Sequence, residues 1–381
     1  MEKKIIEEIT GKKPEENKEE KSKNSSKKQN LRITRKMNTM KFETRSGAKK
    51  NSLKIDPNEI HKNKPHEDAP VRRRSVQSTD NLVQVAGFLK KKFKCIKTYT
   101  NAHQDFIERL VVLKNGKIAS CSYDYLIKLW DITEMSKKPV QVFKGHTNTV
   151  TDLIQYTSTL LASVSKDKTI RKWNANTGKE VYCYEVISPF LCICPITDTT
   201  VCCGGGDKSL RVYDLSTDKQ IEELYQFNGH SDIILCLLQI NSSIFASGSS
   251  DKSIRFWDIE KKKHLFTLEG HTQDVSCMKV LKDKRFASGS YDNTIIIWNI
   301  EKRDAEMKFQ GHTGHVLCIA QLFDGRIISG ASDWSMIIWN MQNGNADATI
   351  DAHKEAVSSI VVSREGLIVS ASRDQCIKVW E

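Results

Sequence analysis

Three residue types return along this chain at a fixed interval. His230, His271, His312 and His353 stand 41 residues apart, as do Asp251, Asp292, Asp333 and Asp374, and Trp257, Trp298, Trp339 and Trp380. Two further units lie upstream, His103/Asp124/Trp130 and His146/Asp167/Trp173, and in all six the His-to-Asp offset is 21 and the Asp-to-Trp offset is 6. A seventh unit keeps part of the pattern: Asp207 and Tyr213 preserve the offset of 6, and Val186 stands where the His would be. Self-similarity at such a period means a modular architecture, in which each unit buries its apolar surface against its neighbours. Short runs rich in Ile, Val, Phe and Trp, such as 244–249 and 253–257 or 326–329 and 336–339, are separated by Gly, Asp, Asn and Ser turns. They lack a helical period, which predicts short strands.

Repeats of about 40–45 residues with Gly-His near the start and Trp-Asp near the end are the signature of propeller blades. The carrying motifs are Gly145-His146, Gly229-His230, Gly270-His271 and Gly311-His312, with Trp130-Asp131, Trp257-Asp258, Trp298-Asn299 and Trp339-Asn340. The sequence resembles the WD-repeat β-propeller family over about 290 residues. The resemblance implies an all-β fold, a seven-bladed propeller over residues 89–381. The chain ends at Trp380-Glu381, where the third strand of the last blade ends, so the outer strand of that blade must come from elsewhere. In the family the N-terminal strand completes the last blade, and residues 93–100 supply the parts. Closure of that kind removes exposed sheet edges.

Ser, His and Asp within one unit suggest a hydrolase triad, yet the same trio recurs in six units, for example Ser247, His230 and Asp251 beside Trp257. Catalysis needs one site; a set present in each blade reads as structural. In the resembled family these four residues form a hydrogen-bond network tying the strands of a blade, and a buried His and Asp are tolerated because each polar atom is paired. The sets here are His103, Ser120, Asp124 and Trp130; His146, Ser163, Asp167 and Trp173; and His230, Ser247, Asp251 and Trp257. They continue with His271, Ser288, Asp292 and Trp298; His312, Ser329, Asp333 and Trp339; and His353, Ser370, Asp374 and Trp380. Blade three departs from the pattern, with Val186 for His, Cys203 for Ser and Tyr213 for Trp, and is expected to be the least rigid.

Two apparent chemical motifs dissolve on inspection. Gly204-Gly205-Gly206-Asp207-Lys208-Ser209 lacks the Gly directly before Lys-Ser and the following helix that a phosphate loop requires; it aligns with the blade turn at Asp251-Lys252-Ser253. Cys192, Cys194, Cys202 and Cys203 could be proposed as zinc ligands, but adjacent strand residues such as Cys202 and Cys203 point to opposite faces. Cys236, Cys277 and Cys318 repeat the offset of Cys192 and read as small buried residues of the first strand. All 11 cysteines lie between Cys95 and Cys376 and read as reduced core thiols. No metal, cofactor or enzymatic activity is expected.

Charge divides the chain. Residues 1–90 hold 23 basic and 13 acidic side chains, and residues 21–50 alone hold 11 basic groups against Glu43. With no Trp, Tyr or Cys and only Phe42 and Phe88, residues 1–88 cannot offset the entropy of folding and are expected to be a disordered basic arm. Such an arm attracts nucleic acid, an anionic membrane or an acidic protein face; lacking aromatics, residues 21–50 would hold nucleic acid only weakly and through phosphates, and a solubilising role is the alternative. Arg72-Arg73-Arg74-Ser75 makes Ser75 a candidate phosphosite, where phosphate would oppose a local Arg cluster. Without an apolar run near ~18 residues no membrane insertion is expected, and without a signal peptide the protein is expected to be intracellular, cytoplasmic and/or nuclear.

In the resembled family, contact residues on the narrow face lie three and five positions after the blade His and one before the turn Asp. Transferred here, these are Phe106, Glu108 and Tyr123; Thr149, Thr151 and Lys166; Pro189, Leu191 and Gly206; and Ile233, Leu235 and Ser250 in the first four blades. The last three give Asp274, Ser276 and Tyr291; His315, Leu317 and Ser332; and Ala356, Ser358 and Arg373, with Trp334 just past its turn Asp. Large apolar residues crowd this set, and Lys166 and Arg373 are its only permanently basic members. It predicts a mainly apolar partner segment across the face, or leucines that tilt inward to pack between blades. The expected function is a non-enzymatic scaffold or adaptor binding protein partners in a multiprotein complex. A substrate receptor of a ubiquitin ligase is one rival, although no Trp-Asp-x-Arg occurs: Trp130-Asp131 is followed by Ile132-Thr133 and Trp257-Asp258 by Ile259-Glu260. An RNA-processing or ribonucleoprotein factor using the basic arm is the other.

Overall fold

Each unit is organised about the turn its aspartate makes. In the fifth unit the Asp292 carboxylate accepts the N–H of Thr294 at 3.0 Å, and Asn293 between them adopts φ +67°. The residue after the turn Asp has positive φ in all seven units, from Tyr125 to Gln375. A side-chain-to-backbone bond thus sustains a left-handed residue, and the apolar runs on either side fold back as an antiparallel pair.

The computed structural model describes residues 93–217, 220–282 and 284–381. Among these, 28 strands form seven antiparallel sheets of four. The expectations for the arm at 1–88, for nucleic acid at 21–50 and for Ser75 lie outside the described residues. Blade one comprises Ile107–Val112, Ile118–Ser122, Ile127–Trp130 and Gln141–Phe143, from the axis outward. The first strands of successive blades stand side by side around the axis, and Val357–Val362 of blade seven returns beside Ile107–Val112. In blade seven the outermost strand is Cys95–Tyr99, antiparallel to Ile377–Trp380. Lys94 and Glu381 extend this pairing by exchanging backbone hydrogen bonds at 3.1 and 3.0 Å. Tyr99 also reaches blade one: its ring meets Trp130 edge-on at 5.2 Å, and its hydroxyl donates to the Asp131 carbonyl at 3.1 Å.

The core lies between blades. Phe256 and Ala246 of blade four pack with Val275, Phe286 and Trp298 of blade five, and equivalent clusters repeat around the ring. Close approach demands glycine on the second strand: a Cβ at Gly248 would come to 2.7 Å from both Cys236 Sγ and Val275 Cγ1. Outer strands carry charge instead, as in Glu222–Phe227 and Asp304–Gln310, which discourages edge-to-edge pairing between molecules.

One irregularity recurs in each blade and shapes the axis. The register between first and second strands slips at Ile107/Arg109, Val150/Asp152, Phe190/Cys192, Ile234/Cys236, Val275/Cys277, Val316/Cys318 and Val357/Ser359. The unpaired residue is therefore Glu108, Thr151, Leu191, Leu235, Ser276, Leu317 or Ser358. A β-bulge re-aims the side chain it carries.

Candidate functional site

The repeated polar residues meet within their blades. In blade one His103 Nδ1 lies 2.9 Å from Asp124, His103 Nε2 lies 2.7 Å from Ser120 Oγ, and Trp130 Nε1 donates to Ser120 Oγ at 2.8 Å. The same three links join His146, Ser163, Asp167 and Trp173, and His230, Ser247, Asp251 and Trp257. They recur for His271, Ser288, Asp292 and Trp298, for His312, Ser329, Asp333 and Trp339, and for His353, Ser370, Asp374 and Trp380. The carboxylate only accepts, so Nδ1–H donates to it; in the neutral imidazole Nε2 then accepts the serine hydroxyl's proton, and the serine oxygen accepts the indole N–H. A neutral imidazole satisfies each atom of the chain. Burial accordingly pushes His103, His146 and His353 below the ordinary imidazole value, against the pull of their aspartates. The serine is spent between two partners and the histidine is enclosed, so the trio offers no free nucleophile.

Blade three substitutes other contacts. Tyr213 donates its hydroxyl to Glu223 at 3.2 Å, Asp207 accepts from Arg211 at 3.1 Å, and Arg211 also pairs with Glu223. Cys203 and Tyr213 are buried in an apolar cluster with Val201 and Phe190, and Val186 packs against its edge.

Of the three positions transferred from the family, two supply side chains to a cavity at one end of the axis. In every blade the N–H before the turn Asp donates to the carbonyl three residues after the His position: Tyr123 to Phe106, Lys166 to Thr149, Gly206 to Pro189, Ser250 to Ile233, Tyr291 to Asp274, Ser332 to His315 and Arg373 to Ala356. The bulge residues of all seven blades and the residue before the turn Asp in blades one, two, five and seven line a cavity of about 230 Å³. Its lining is Glu108, Arg109, Tyr123, Thr151, Lys166, Leu191, Leu235, Ser276, Tyr291, Leu317, Ser358 and Arg373. Phe106 meets Tyr123 edge-on at 5.7 Å and carries the Arg373 guanidinium over its face at 5.7 Å. Lys166 Nζ sits 4.8 Å above the Tyr123 ring, and Tyr291 stacks on exposed His315 at 4.5 Å. Asp274, outside the lining, accepts from Ser250 Oγ at 2.7 Å, and Ile233, also outside the lining, is half-buried.

The family model described as WD domain, G-beta repeat matches residues 93–131, 137–174, 221–258, 262–299, 304–340 and 344–381, together more than half of the chain. The chain belongs to the WD-repeat family. The longest stretch left unmatched within the propeller, 175–220, contains the first three strands of blade three, where Val186, Cys203 and Tyr213 replace the His, Ser and Trp of the tetrad. Among curated proteins, this WD-repeat chain is 27% identical to the ribosome biogenesis protein ytm1 of Schizosaccharomyces pombe over 178 residues, 38% of this chain and 40% of that protein. It is 33% identical to the nuclear distribution protein nudF of Aspergillus niger over 124 residues, 31% of this chain and 26% of that protein. It is 35% identical to the DDB1- and CUL4-associated factor 10 of Xenopus tropicalis over 91 residues, 24% of this chain and 20% of that protein. The chain thus spans less than half the length of the curated relatives it matches.

The WD-repeat mouth differs from its sequence reading in two respects. Leu191, Leu235 and Leu317 are half-buried and face the cavity, and the exposed apolar side chain in contact with its lining residues Tyr123 and Arg373 is Phe106, 38% accessible. The second difference is a correction: Lys166 and Arg373 are not the only permanent cations there, because Arg109 lines the cavity too. Arg109 Nε lies 3.2 Å from Asp152 Oδ1 of blade two, and Asp152 keeps the guanidinium charged. A signal for this pair existed. Arg109 and Asp152 occupy the offset that holds Cys192, Cys236, Cys277 and Cys318 in blades three to six. No helix among the described residues is long and apolar enough to cross a membrane.

Proposed function

We propose that the chain is a non-enzymatic intracellular adaptor whose propeller docks a segment of a protein partner across the channel mouth. The observation that carries this reading is the convergence, from seven different blades, of the bulge side chains on one cavity, with four turn side chains beside them and exposed Phe106 against Tyr123 and Arg373 of the lining. Trp334, half-exposed directly after its turn Asp, supports it, because an exposed tryptophan is the kind of side chain an interface uses as an anchor. Glu108, Tyr123, Leu191, Leu235, Tyr291, Leu317 and Arg373 would line the seat of the segment, with Phe106, Asp274, His315, Ile233 and Trp334 around it.

The test is to make Leu235→Glu and Leu317→Glu separately in the full chain, verify that melting is unchanged, and measure partner recovery from native cells. Loss of the same partners from both variants is the expected result. If each folded variant captures every partner of the parent, the docking face lies elsewhere. A ubiquitin-ligase substrate receptor is the second reading, favoured by the relative whose name associates it with DDB1 and CUL4. Recovery of a cullin scaffold with the parent chain would select it.

A further inference from the structure

The channel mouth is polarised. Leu191, Leu235 and Leu317 line it from blades three, four and six, whereas the charged lining residues all come from blades seven, one and two. Those charges do not balance. Asp152 is engaged by Arg109 Nε and by the backbone N–H groups of Leu153 and Ile193, at 3.2, 2.9 and 3.0 Å. Arg109 commits only Nε to that bond and keeps 27% of its side chain accessible. Lys166 reaches only the Tyr123 hydroxyl, at 3.4 Å, and Arg373 has a buried Nε–H without an acceptor. Among the described residues, Lys166 and Arg373 form no ion pair. The remaining carboxyl in the lining, Glu108, also has a buried oxygen, Oε2, with no donor.

Positively charged donors that line a cavity without an acceptor favour a ligand that supplies one, because a charge-assisted hydrogen bond is stronger than a neutral one. Arg373 lacks an acceptor. An incoming cation would leave it unsatisfied and would meet three positive groups. An incoming carboxylate would accept from Arg373 and Lys166, and from Glu108 as well if Glu108 carries a proton. Burial favours that proton: it pushes the Glu108 carboxyl above the ordinary carboxylate range, against the opposing pull of Arg109, Arg373 and Lys166. The leucine arc disfavours a polyanion lying across the whole mouth, and the small cavity suits one side chain.

We infer that the channel mouth receives an acidic side chain of the docked protein segment, with its carboxylate against Arg373, Lys166 and Arg109 and its apolar neighbours against Leu191, Leu235 and Leu317. This rests on the adaptor reading above and specifies what kind of segment the adaptor takes: Asp or Glu flanked by apolar residues. Charge complementarity at one side of the ring and apolar complementarity at the other set its orientation.

The experiment is selection of a random nonapeptide library, displayed on phage, against the full 1–381 chain, followed by fluorescence anisotropy with the selected peptides. Peptides released by Leu235→Glu are those bound at the mouth. The expected result is that these share one Asp or Glu, and that its replacement by Asn or Gln weakens binding at least tenfold. Arg373→Gln and Lys166→Gln should each weaken the acidic peptide several-fold but leave its Gln counterpart unchanged, whereas Glu108→Gln should tighten the acidic peptide at neutral pH. Mouth-binding peptides that are neutral or enriched in Lys and Arg would overturn the inference while leaving the adaptor reading intact. So would displacement of the acidic peptide by a single-stranded RNA oligonucleotide, or tighter binding by more than tenfold when phosphoserine replaces the acid. Failure to obtain any peptide that Leu235→Glu releases would overturn both.

Discussion

The Arg109 guanidinium of blade one and the Asp152 carboxylate of blade two lie 3.2 Å apart, at the position where blades three to six carry cysteine. Asp152 also takes the Ile193 N–H of blade three, so one carboxylate links three consecutive blades beneath the channel mouth. A charge-assisted contact has replaced thiol packing at this point of the ring. Removing one partner of such a buried pair is costly because the other charge is left uncompensated, whereas replacing both by apolar groups is often nearly neutral.

Asp152→Ala is accordingly expected to destabilise the propeller by about 3 kcal/mol, since it leaves a guanidinium and two backbone N–H groups without their acceptor. The double variant Arg109→Cys/Asp152→Cys, which installs the residue found in the other blades, should recover most of that loss. Urea denaturation of the three proteins measures both quantities. A double variant no more stable than Asp152→Ala would show that the pair is not the source of the effect.

The tetrads lead to a second expectation. Asp292→Ala leaves the His271 Nδ1–H and the N–H groups of Thr272 and Thr294 without their acceptor. His271→Ala strands Ser288 and Asp292. Each should cost about 1–3 kcal/mol, with no selective loss of partner binding in the folded protein. Binding that disappears while the melting transition stays in place would assign these residues a direct functional role.

Acid should weaken the fold in two stages. His103, His146 and His353 have folded pKa values below their ordinary value, so the unfolded chain protonates first as the pH drops below about 6.5, and stability falls from there. Burial alone would raise Asp124, but the hydrogen bond from His103 and its neighbours bring it down to about 2; Asp167 and Asp374 are likewise lowered. Stability contributed by these carboxylates is present above their unfolded pKa near 3.9 and is lost as the pH falls towards the folded values. Thermal melts from about pH 7.5 to 3 should therefore show the melting temperature declining first below about 6.5 and again below about 4. A flat profile down to pH 5 would contradict the neutral-histidine network.

Closure of blade seven by Cys95–Tyr99 makes a truncation informative. Deleting residues 1–88 should leave a cooperative melt close to that of the full chain. Deleting 1–100 removes the outer strand, the Tyr99–Trp130 contact and the Lys94–Glu381 backbone bonds, and should lower the midpoint severely. Equal melting of the two truncations would mean that the strand contributes nothing to the ring.

The repeat by itself determined the fold. His, Ser, Asp and Trp at fixed offsets within one unit form their network over a short stretch of chain, and the turn at each Asp is held by the residue two positions on. Local bonds of this kind are legible in sequence because spacing alone brings the partners together. The substitutions of blade three were legible too, but not what replaced the tetrad: Glu223 had no counterpart in the motif, and only the pairing of neighbouring strands brings it to Tyr213. The mouth was half legible. Position five after the His lines the cavity in every blade, because a bulge in each first strand turns its middle residue to the axis; the residue before the Asp joins it in four blades, and position three in none. What the tertiary structure decided is which of those side chains meet. Arg109, Asp152 and Arg373 belong to blades one, two and seven, and Arg373 reaches Phe106 only because the ring closes the end of the chain against its beginning. Charge balance at the mouth is a sum over blades far apart in sequence, so it exists only once the seven blades share one axis.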